Sequence, residues 1–232
     1  TEYIGTINAI MLRSASNRMR WPAPRAIQEA MTAHLDAETL APPVDGRRAR
    51  TVASRARILE AMIDLLQEGE TQPSAEAVAA KAGVGVRTVF RLFSDVDGLY
   101  RGLQKTMAER LAPILAEPVT GALAERLDLL VGRRAQIFEE MARPKAFADM
   151  HRARSSELQE THRLFIVAQR ALLLGHLDGL LPDDVDLASA LDLALSFDAW
   201  RRLRDDQGLS REVAERVMRR MARALIASTP NP

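Results

Sequence analysis

The chain has 232 residues, of which 47% are hydrophobic and 27% are charged, so it can bury a sizeable core as one large domain or two smaller ones. Its 32 basic and 31 acidic side chains leave a net charge of +1, which argues neither for nor against a nucleic-acid or membrane partner. The absence of cysteine excludes disulfides and thiolate chemistry and fits a reducing compartment, and no apolar run approaches the roughly 18 residues of a membrane span.

Apolar residues recur along the chain about every 3.6 residues, which predicts an all-α protein. The N-terminal extension, residues 1–46, contains one amphipathic segment that ends before two consecutive prolines. A second helix is predicted over 50–68, because one of its sides is apolar and Gly69 provides a C-terminal stop. Ser74 is a natural N-cap for the helix that follows.

Residues 75–99 contain two very short helical runs, with Gly83 and Gly85 in the turn between them. Isolated helices shorter than roughly 12–15 residues are marginal in water, so these two must pack on each other and on their neighbours. Gly83 suits the left-handed backbone that often ends a helix and that strains other residues. The pattern is typical of a helix-turn-helix, and we assign residues 47–98 to a DNA-binding domain.

The same stretch resembles the helix-turn-helix of the tetracycline-repressor (TetR) family of bacterial transcriptional regulators. The family pattern has Ile-Ala in a capped helix, then Ala-Gly-Val, a threonine, an aromatic pair around Arg-x-Phe and an acidic start to the next helix. Its counterparts here are Val78-Ala79, Ala82-Gly83-Val84, Thr88, Phe90-Arg91-Leu92-Phe93 and Asp95-Val96-Asp97-Gly98-Leu99. The resemblance implies a cytoplasmic repressor that binds an inverted-repeat operator as a homodimer and responds to a small molecule.

The second helix of the motif is predicted to enter the major groove of DNA with its N-terminal side chains. Arg87 and Arg91 can hydrogen-bond to guanine, and Thr88 can meet a thymine methyl group or a phosphate. Alternatively, the two arginines are ordinary solvated charges. Family members often carry glycine, tyrosine and lysine at the positions of Arg87, Phe90 and Val96, so the phosphate contacts of that tyrosine and lysine are missing here.

A basic run, GRRARTVASRAR, contains five arginines and no acidic residue, and these include Arg55 and Arg57. The run is either a phosphate-binding or minor-groove arm, which would supply the missing contacts, or an ordinary solvated linker. The predicted DNA interface comprises Arg47, Arg48, Arg50, Ser74, Gly85, Val86, Arg87, Thr88, Phe90 and Arg91.

The remainder, residues 99–232, is predicted to contain five or six helices, which the TetR family uses for dimerisation and effector binding. Pro144 predicts the end of the helix before it, and residues 186–206 are predicted to form one helix. Apolar stripes on the last two helices can build a four-helix interface with a second copy, or can face the core of their own protomer. The predicted interface residues are Leu191, Leu195, Val213, Val217, Met221 and Leu225.

The segment THRLFIVAQRALLLGHLDGLL carries His162, Gln169 and His176 at intervals of seven residues on an otherwise apolar side. Such polar groups need partners, which either neighbouring helices or a bound small molecule can provide. In the second case the effector is small and apolar or amphipathic. The predicted effector pocket comprises Met107, Leu111, Phe138, Met141, Phe147, His162, Phe165, Gln169 and His176.

No cofactor or metal site is predicted, because the four histidines are scattered and there is no cysteine. The sequence has no glycine-rich phosphate loop after a strand and no nucleophile elbow, so we do not expect an enzyme. The expected partners are a double-stranded DNA operator, a small effector and a second copy of the chain, without a membrane. A helical protein-interaction module and an enzyme without recognisable motifs are the alternatives.

Overall fold

The computed structural model of the chain describes residues 46–93 and 96–228. The amphipathic segment predicted in the N-terminal extension lies outside the described residues, as does Asp95 of the motif. The described residues form helices and loops without a β-strand, which confirms the predicted all-α class. Among them, no helix has both the length and the apolar character needed to cross a membrane.

Nine α-helices and one short π-helix follow one another along the described part of the chain. Their bounds are α1 Gly46–Gln67, α2 Ala75–Ala82, α3 Val86–Leu92, α4 Val96–Ala116, α5 Leu123–Arg152, α6 Ser156–His176, α7 Val185–Ala194, α8 Phe197–Arg201, the π-helix Arg202–Asp206 and α9 Arg211–Ala227. The helix-turn-helix expected from the sequence consists of α2 and α3.

The described residues separate into two units. The first, which we call the helix-turn-helix unit, contains the described residues up to Pro113 together with Glu140–Arg163. The second, the C-terminal unit, contains Ile114–Glu139 and the described residues from Leu164 onward. Each unit buries its own set of large apolar side chains.

The helix-turn-helix unit is built around one apolar side of α1. Ile58 and Ile63 of this helix are fully buried, and Val78 of α2 and Val89 of α3 are buried in the same unit. Helix α1 packs on α2, and α2 packs on α3. Burying one aliphatic side chain of this size contributes about 1.5–3 kcal/mol, so these contacts can hold two helices that are too short to be stable alone.

Helix α1 begins earlier than the sequence predicts. It starts at Gly46, so the basic run forms its first turns instead of an extended arm or linker. Arginine and alanine are among the strongest helix formers, and the run contains no proline. The predicted start near residue 50 relied on the apolar pattern, which begins only where the helix meets the core.

Helix α5 continues through Pro144, whereas the sequence predicts an end before it. A proline in a helix interior removes a backbone hydrogen bond and costs about 3 kcal/mol. The proline ring is buried, and so are Phe138 before it and Phe147 after it. Burial on both sides of the proline offsets the lost hydrogen bond, and tertiary packing therefore overrides the local signal.

The stretch predicted as a single helix over 186–206 is interrupted between α7 and α8. The hydroxyl of Ser196 accepts a hydrogen bond from the N–H of Ala199 at 3.1 Å and so caps α8. The carbonyl of Leu195 accepts a hydrogen bond from the buried guanidinium of Arg134. The Ser196 hydroxyl thus caps a new helix, and the Leu195 carbonyl has a side-chain donor from another helix. One helix therefore ends and the next begins at these two residues.

Helix α9 packs on α7 through one side. Ala214, Met218 and Ala222 on that side are fully buried, and the two alanines let the helices approach closely. The N-terminus of α9 is capped by Ser210, whose hydroxyl accepts a hydrogen bond from the N–H of Val213 at 3.3 Å. One side of the last helix is therefore committed to the core of its own protomer.

Candidate nucleic-acid interface

The turn between α2 and α3 contains two glycines, of which only Gly83 has a backbone conformation that favours glycine. Gly83 has a left-handed backbone, with φ 64° and ψ 41°, and ends α2 as the sequence predicts. The N–H of Val84 donates to the carbonyl of Ala79 at 3.0 Å and closes the helix end. Gly85 is extended, with φ −74° and ψ 145°, and it precedes the first residue of α3. The chain therefore changes direction within three residues.

The two helix starts in this motif carry three of the predicted interface residues. The hydroxyl of Ser74 accepts from the N–H of Ala77 at 3.1 Å, which confirms the predicted N-cap of α2. Ser74 is exposed and keeps its O–H hydrogen, so it can still donate to a phosphate. At the start of α3, Gly85 is exposed and Val86 is half-buried.

Helix α3 has a buried side and an exposed side. Val89 is buried, whereas Arg87, Phe90 and Arg91 are exposed. Their spacing of three and four residues places these three on the same side of the helix. Phe90 is 61% exposed, which is unusual for so large an apolar side chain. Thr88 is half-buried. The exposed side therefore combines two positive charges with an apolar ring.

Arg55 of the basic run is a structural residue in this unit. Its Nη1 donates to the carbonyl of Leu92 at 3.0 Å, and its Nη2 donates to the carbonyl of Gly98 at 3.2 Å. The guanidinium also lies 4.5 Å from the centre of the Phe93 ring. Arg55 therefore links the end of α3 to the start of α4, and its contribution to a phosphate-binding run stays a prediction. Its partners are distant in sequence, so the spacing of the run could not reveal them.

The other arginines of the basic run lie on α1. Arg47, Arg48 and Arg50 are within its first two turns, and Arg50 is exposed. Arg57 is also exposed and lies 3.4 Å from the hydroxyl of Ser54. The positive charge of the first turns is therefore carried by a helix, which limits its positions more than an extended arm would.

Several predicted effector residues fall in the helix-turn-helix unit. They are Met107, Leu111 and Phe147, which are buried, and Met141 and His162, which are half-buried. The hydroxyl of Tyr100 donates to the carbonyl of Phe147 at 3.1 Å, and the two rings stack. His162 Nδ1 lies 3.4 Å from Nζ of Lys145, which pairs with Asp149 at 2.9 Å. His162 therefore has a polar neighbour within its own unit.

The remaining predicted effector residues fall in the C-terminal unit. Phe138 is buried, with its ring edge-on to Phe197 at 5.5 Å between ring centres. Phe165, Gln169 and His176 are half-buried. The predicted effector set is thus divided between the two units, and its role stays a prediction.

Two buried arginines accompany these residues, and the sequence interpretation did not single them out. Arg133 and Arg134 of α5 are buried within the C-terminal unit. Burial, and then the positive charges of Arg133, Arg126 and Arg134, lower the pKa of His176 to about 4. The available signal was the pair of arginines inside the apolar run LDLLVGRRAQIF.

The predicted dimer residues differ in their surroundings. Leu191 of α7 and Leu195, the residue that follows this helix, are 0% exposed and lie in the core of their own protomer, whereas Leu193 is 70% exposed and Val185 is also exposed. On α9 the half-buried apolar residues are Val213, Val217, Met221 and Leu225. Both helices therefore present apolar side chains outside the protomer core.

The described residues contain no group of three or more histidine, cysteine, aspartate or glutamate side chains that could hold a metal ion.

Solved structures share this helical architecture. The multidrug-binding protein EbrR, solved in complex with imidazole, is similar with a TM-score of 0.53 and 20% identity, covering 83% of this chain and 99% of that chain. A TetR transcriptional regulator from Rhodococcus sp. RHA1 has a TM-score of 0.47 and 19% identity, covering 77% and 99%. No family profile and no curated protein matches the sequence. The similarity to EbrR shows that the two chains share a helical fold.

Proposed function

We propose that the protein is a transcriptional regulator that binds an inverted-repeat DNA operator as a homodimer and releases it when a small molecule binds. The observation that carries this proposal is the exposed side of α3, where Arg87, Phe90 and Arg91 project from a helix held by a capped, two-glycine turn. A short, firmly held helix with exposed arginines is the element that helix-turn-helix proteins insert into the major groove.

The side chains of α3 suit different parts of a DNA duplex. Arg87, near the N-terminus of the helix, can donate two hydrogen bonds to guanine, and Phe90 can contact a thymine methyl group. This explains why an exposed phenylalanine is tolerated where the family often has tyrosine. Arg91 can bind either a base or a phosphate. Phosphate contacts come from Ser74 and from the arginines at the start of α1.

A homodimer gives the two-fold symmetry that an inverted repeat requires. The exposed Leu193 of α7 and the half-buried apolar residues of α9 support an interface formed by these two helices. Leu191 and Leu195 then hold α7 in place from inside the protomer, and Leu193, Val217 and Met221 meet the second copy.

Two observations support a small-molecule effector. The polar residues of the predicted effector set are half-buried. The similar protein EbrR is described as a multidrug-binding protein. In such a regulator, ligand binding and operator binding are coupled by about 1–3 kcal/mol.

Selection of a DNA site from a random library tests the proposal. We expect an inverted repeat whose affinity falls steeply with salt, because phosphate contacts release counterions. The variant Arg87→Ala should lose about 1–3 kcal/mol of discrimination at one base in each half-site. Arg202→Ala is the matched control, because Arg202 is exposed in the C-terminal unit and should leave base preference unchanged.

Recovery of no site, or affinity that does not respond to salt, would overturn the proposal and favour a helical protein-interaction module. Base preference that is identical in wild type and Arg87→Ala would move the reading helix elsewhere.

A further inference from the structure

Arg133 is a buried cation that its own protein leaves incompletely bonded. Its residue exposure is 8%, and Nη2 donates to the backbone carbonyls of Glu117 and Pro118. Nε and Nη1 are also buried, and neither has a hydrogen-bond partner among the described residues. Buried polar groups are almost always hydrogen-bonded, and a charged group left without partners is especially costly. An unpaired guanidinium at this depth therefore requires an explanation.

The neighbouring arginines do not supply a counter-charge. Arg126 donates to the carbonyls of Gly121 and His176, both at 2.9 Å. Arg134 donates to the carbonyls of Leu195 and Gln169. All of these acceptors are neutral backbone groups, so the positive charge of both side chains persists. We call Arg126, Arg133, Arg134 and His176 the arginine cluster.

Two carboxylates influence the arginine cluster, but neither neutralises it. Asp192 raises the pKa of Arg134, yet this carboxylate already pairs with Arg170 at 3.2 Å. Glu117 acts on Arg133 at a distance, and its side chain is exposed. Burial dominates in both arginines, because it lowers the pKa of Arg133 and lowers that of Arg134 to about 10.

Arg133 and Arg134 are adjacent on α5, but only one of them is fully used by the fold. Arg134 donates to the carbonyl of Gln169 within α6 and to that of Leu195 just after α7, which gives it a structural role. Arg133 donates to two loop carbonyls through Nη2 alone, and its Nε and Nη1 make no hydrogen bond to the described residues. Proteins retain such costly groups chiefly at functional sites.

We propose that the C-terminal unit binds the oxyanion of a small organic ligand, a carboxylate or a phosphate, on Nε and Nη1 of Arg133. The oxyanion supplies both the missing acceptors and the missing negative charge, and guanidinium groups bind these anions through strong charge-assisted hydrogen bonds. The positive charges of Arg126 and Arg134 add to the attraction. The inference rests on the proposed function in that it defines the effector as an amphipathic acid.

Calorimetric titration of the full chain without DNA tests the site. The probes are benzoate, octanoate and octyl phosphate, each compared with a neutral partner that has the same hydrocarbon group, namely benzamide, octanamide and octanol. We expect at least one acid to bind roughly tenfold more tightly than its neutral partner, because the neutral group cannot compensate the buried charge. A preference for octanoate or for octyl phosphate distinguishes the carboxylate from the phosphate.

The variant Arg133→Met keeps an unbranched, flexible side chain and removes the guanidinium with its charge. It should lose the preference for the acid and leave binding of the neutral partner unchanged, while Arg202→Met should behave as wild type. Its melting temperature should equal or exceed that of wild type, because the substitution removes an unpaired buried charge. A purely structural arginine would instead lower the melting temperature on substitution.

If Arg133→Met does not fold, Arg133→Lys provides the same test, because a lysine keeps the charge but loses the planar set of donors. The preference for the acid should then fall without disappearing.

Equal binding of every acid and its neutral partner would overturn the proposal, and so would an unchanged preference in Arg133→Met. The two proposals fail separately. An operator that is bound while no acid is preferred leaves the regulator without this site. A preference for the acid that depends on Arg133, in a chain that selects no DNA, leaves the anion site without the regulator.

Discussion

The two units of this protein use arginine in opposite ways. In the helix-turn-helix unit, Arg87 and Arg91 are exposed on one side of α3, where water surrounds their charges. In the C-terminal unit, Arg133 and Arg134 of α5 are buried. Within the described residues, both donate hydrogen bonds to backbone carbonyls and none to a carboxylate. The same side chain is therefore placed in two different dielectric environments.

This difference determines what each set can recognise. Exposed cations attract a polyanion over long distances, but salt screens them within about 10 Å at 0.1 M ionic strength. Buried cations are screened much less and interact strongly with a single anion that replaces their lost hydration. The exposed arginines therefore suit DNA, whereas the buried arginines suit a small ligand held in a fixed geometry.

The largest expected effect concerns self-association of the C-terminal unit. Replacing both Val217 and Met221 with Glu places two carboxylates in the proposed dimer interface. Their desolvation should weaken the dimer by about 4 kcal/mol, or roughly a thousandfold. Sedimentation at low micromolar concentration should then detect monomers, while Gln207→Glu, which adds a charge at an exposed loop, should leave dimers intact. A double variant that stays dimeric would place the interface outside α9.

The next effect concerns stability and compares one arginine from each unit. Arg134→Met removes a buried hydrogen bond to the carbonyl of Leu195 and a half-buried one to that of Gln169. We expect the free energy of unfolding to fall by about 3 kcal/mol. The exposed Arg91→Met should change it by no more than about 0.5 kcal/mol. Urea unfolding measures both, and similar losses would break the contrast between the units.

A smaller effect is expected from pH, through His176. Burial and the nearby arginines lower the pKa of this residue to about 4 in the folded protein, below the value of about 6.5 in an unfolded chain. The unfolded chain therefore binds more protons between pH 6.5 and pH 4, and stability falls as pH decreases through that window. After allowance for solvent screening of a half-buried ring, the loss should be about 1 kcal/mol. His176→Gln should remove this part of the pH dependence in urea unfolding, and an unchanged dependence would exclude His176 as its source.

The sequence predicts well where short-range physics decides. Ser74 and Gly83 act on atoms within a few residues, so their capping roles follow from residue type and position. The helix-turn-helix could be recognised for the same reason, because its turn and its short helices are local features.

The sequence predicts poorly where distant partners decide. Arg55 lies in a basic run of the kind that binds phosphates, yet its guanidinium donates to the carbonyls of Leu92 and Gly98. These residues come close to Arg55 only when the chain folds. Pro144 has the local signature of a helix end, yet α5 continues through it because Phe138 before it and Phe147 after it are both buried. Apolar spacing likewise could not separate Leu191, which is inside the protomer, from Leu193, which is outside.

The smallest expected effect tests whether the start of α1 contributes exposed charge of the same kind as α3. Arg48 belongs to the first turn of α1, and we propose that it contacts a phosphate whatever the base sequence. Arg48→Ala should weaken binding to the selected site and to random DNA alike, because a phosphate contact carries no base information. The slope of log affinity against log salt should decrease by about one unit for each lost contact, or about two for a symmetric dimer. Arg202→Ala removes an equal charge from the C-terminal unit and should leave the slope unchanged. A slope that Arg48→Ala does not alter would confine DNA binding to α3 and to the cap of α2, and the arginines at the start of α1 would then serve only the helix that contains them.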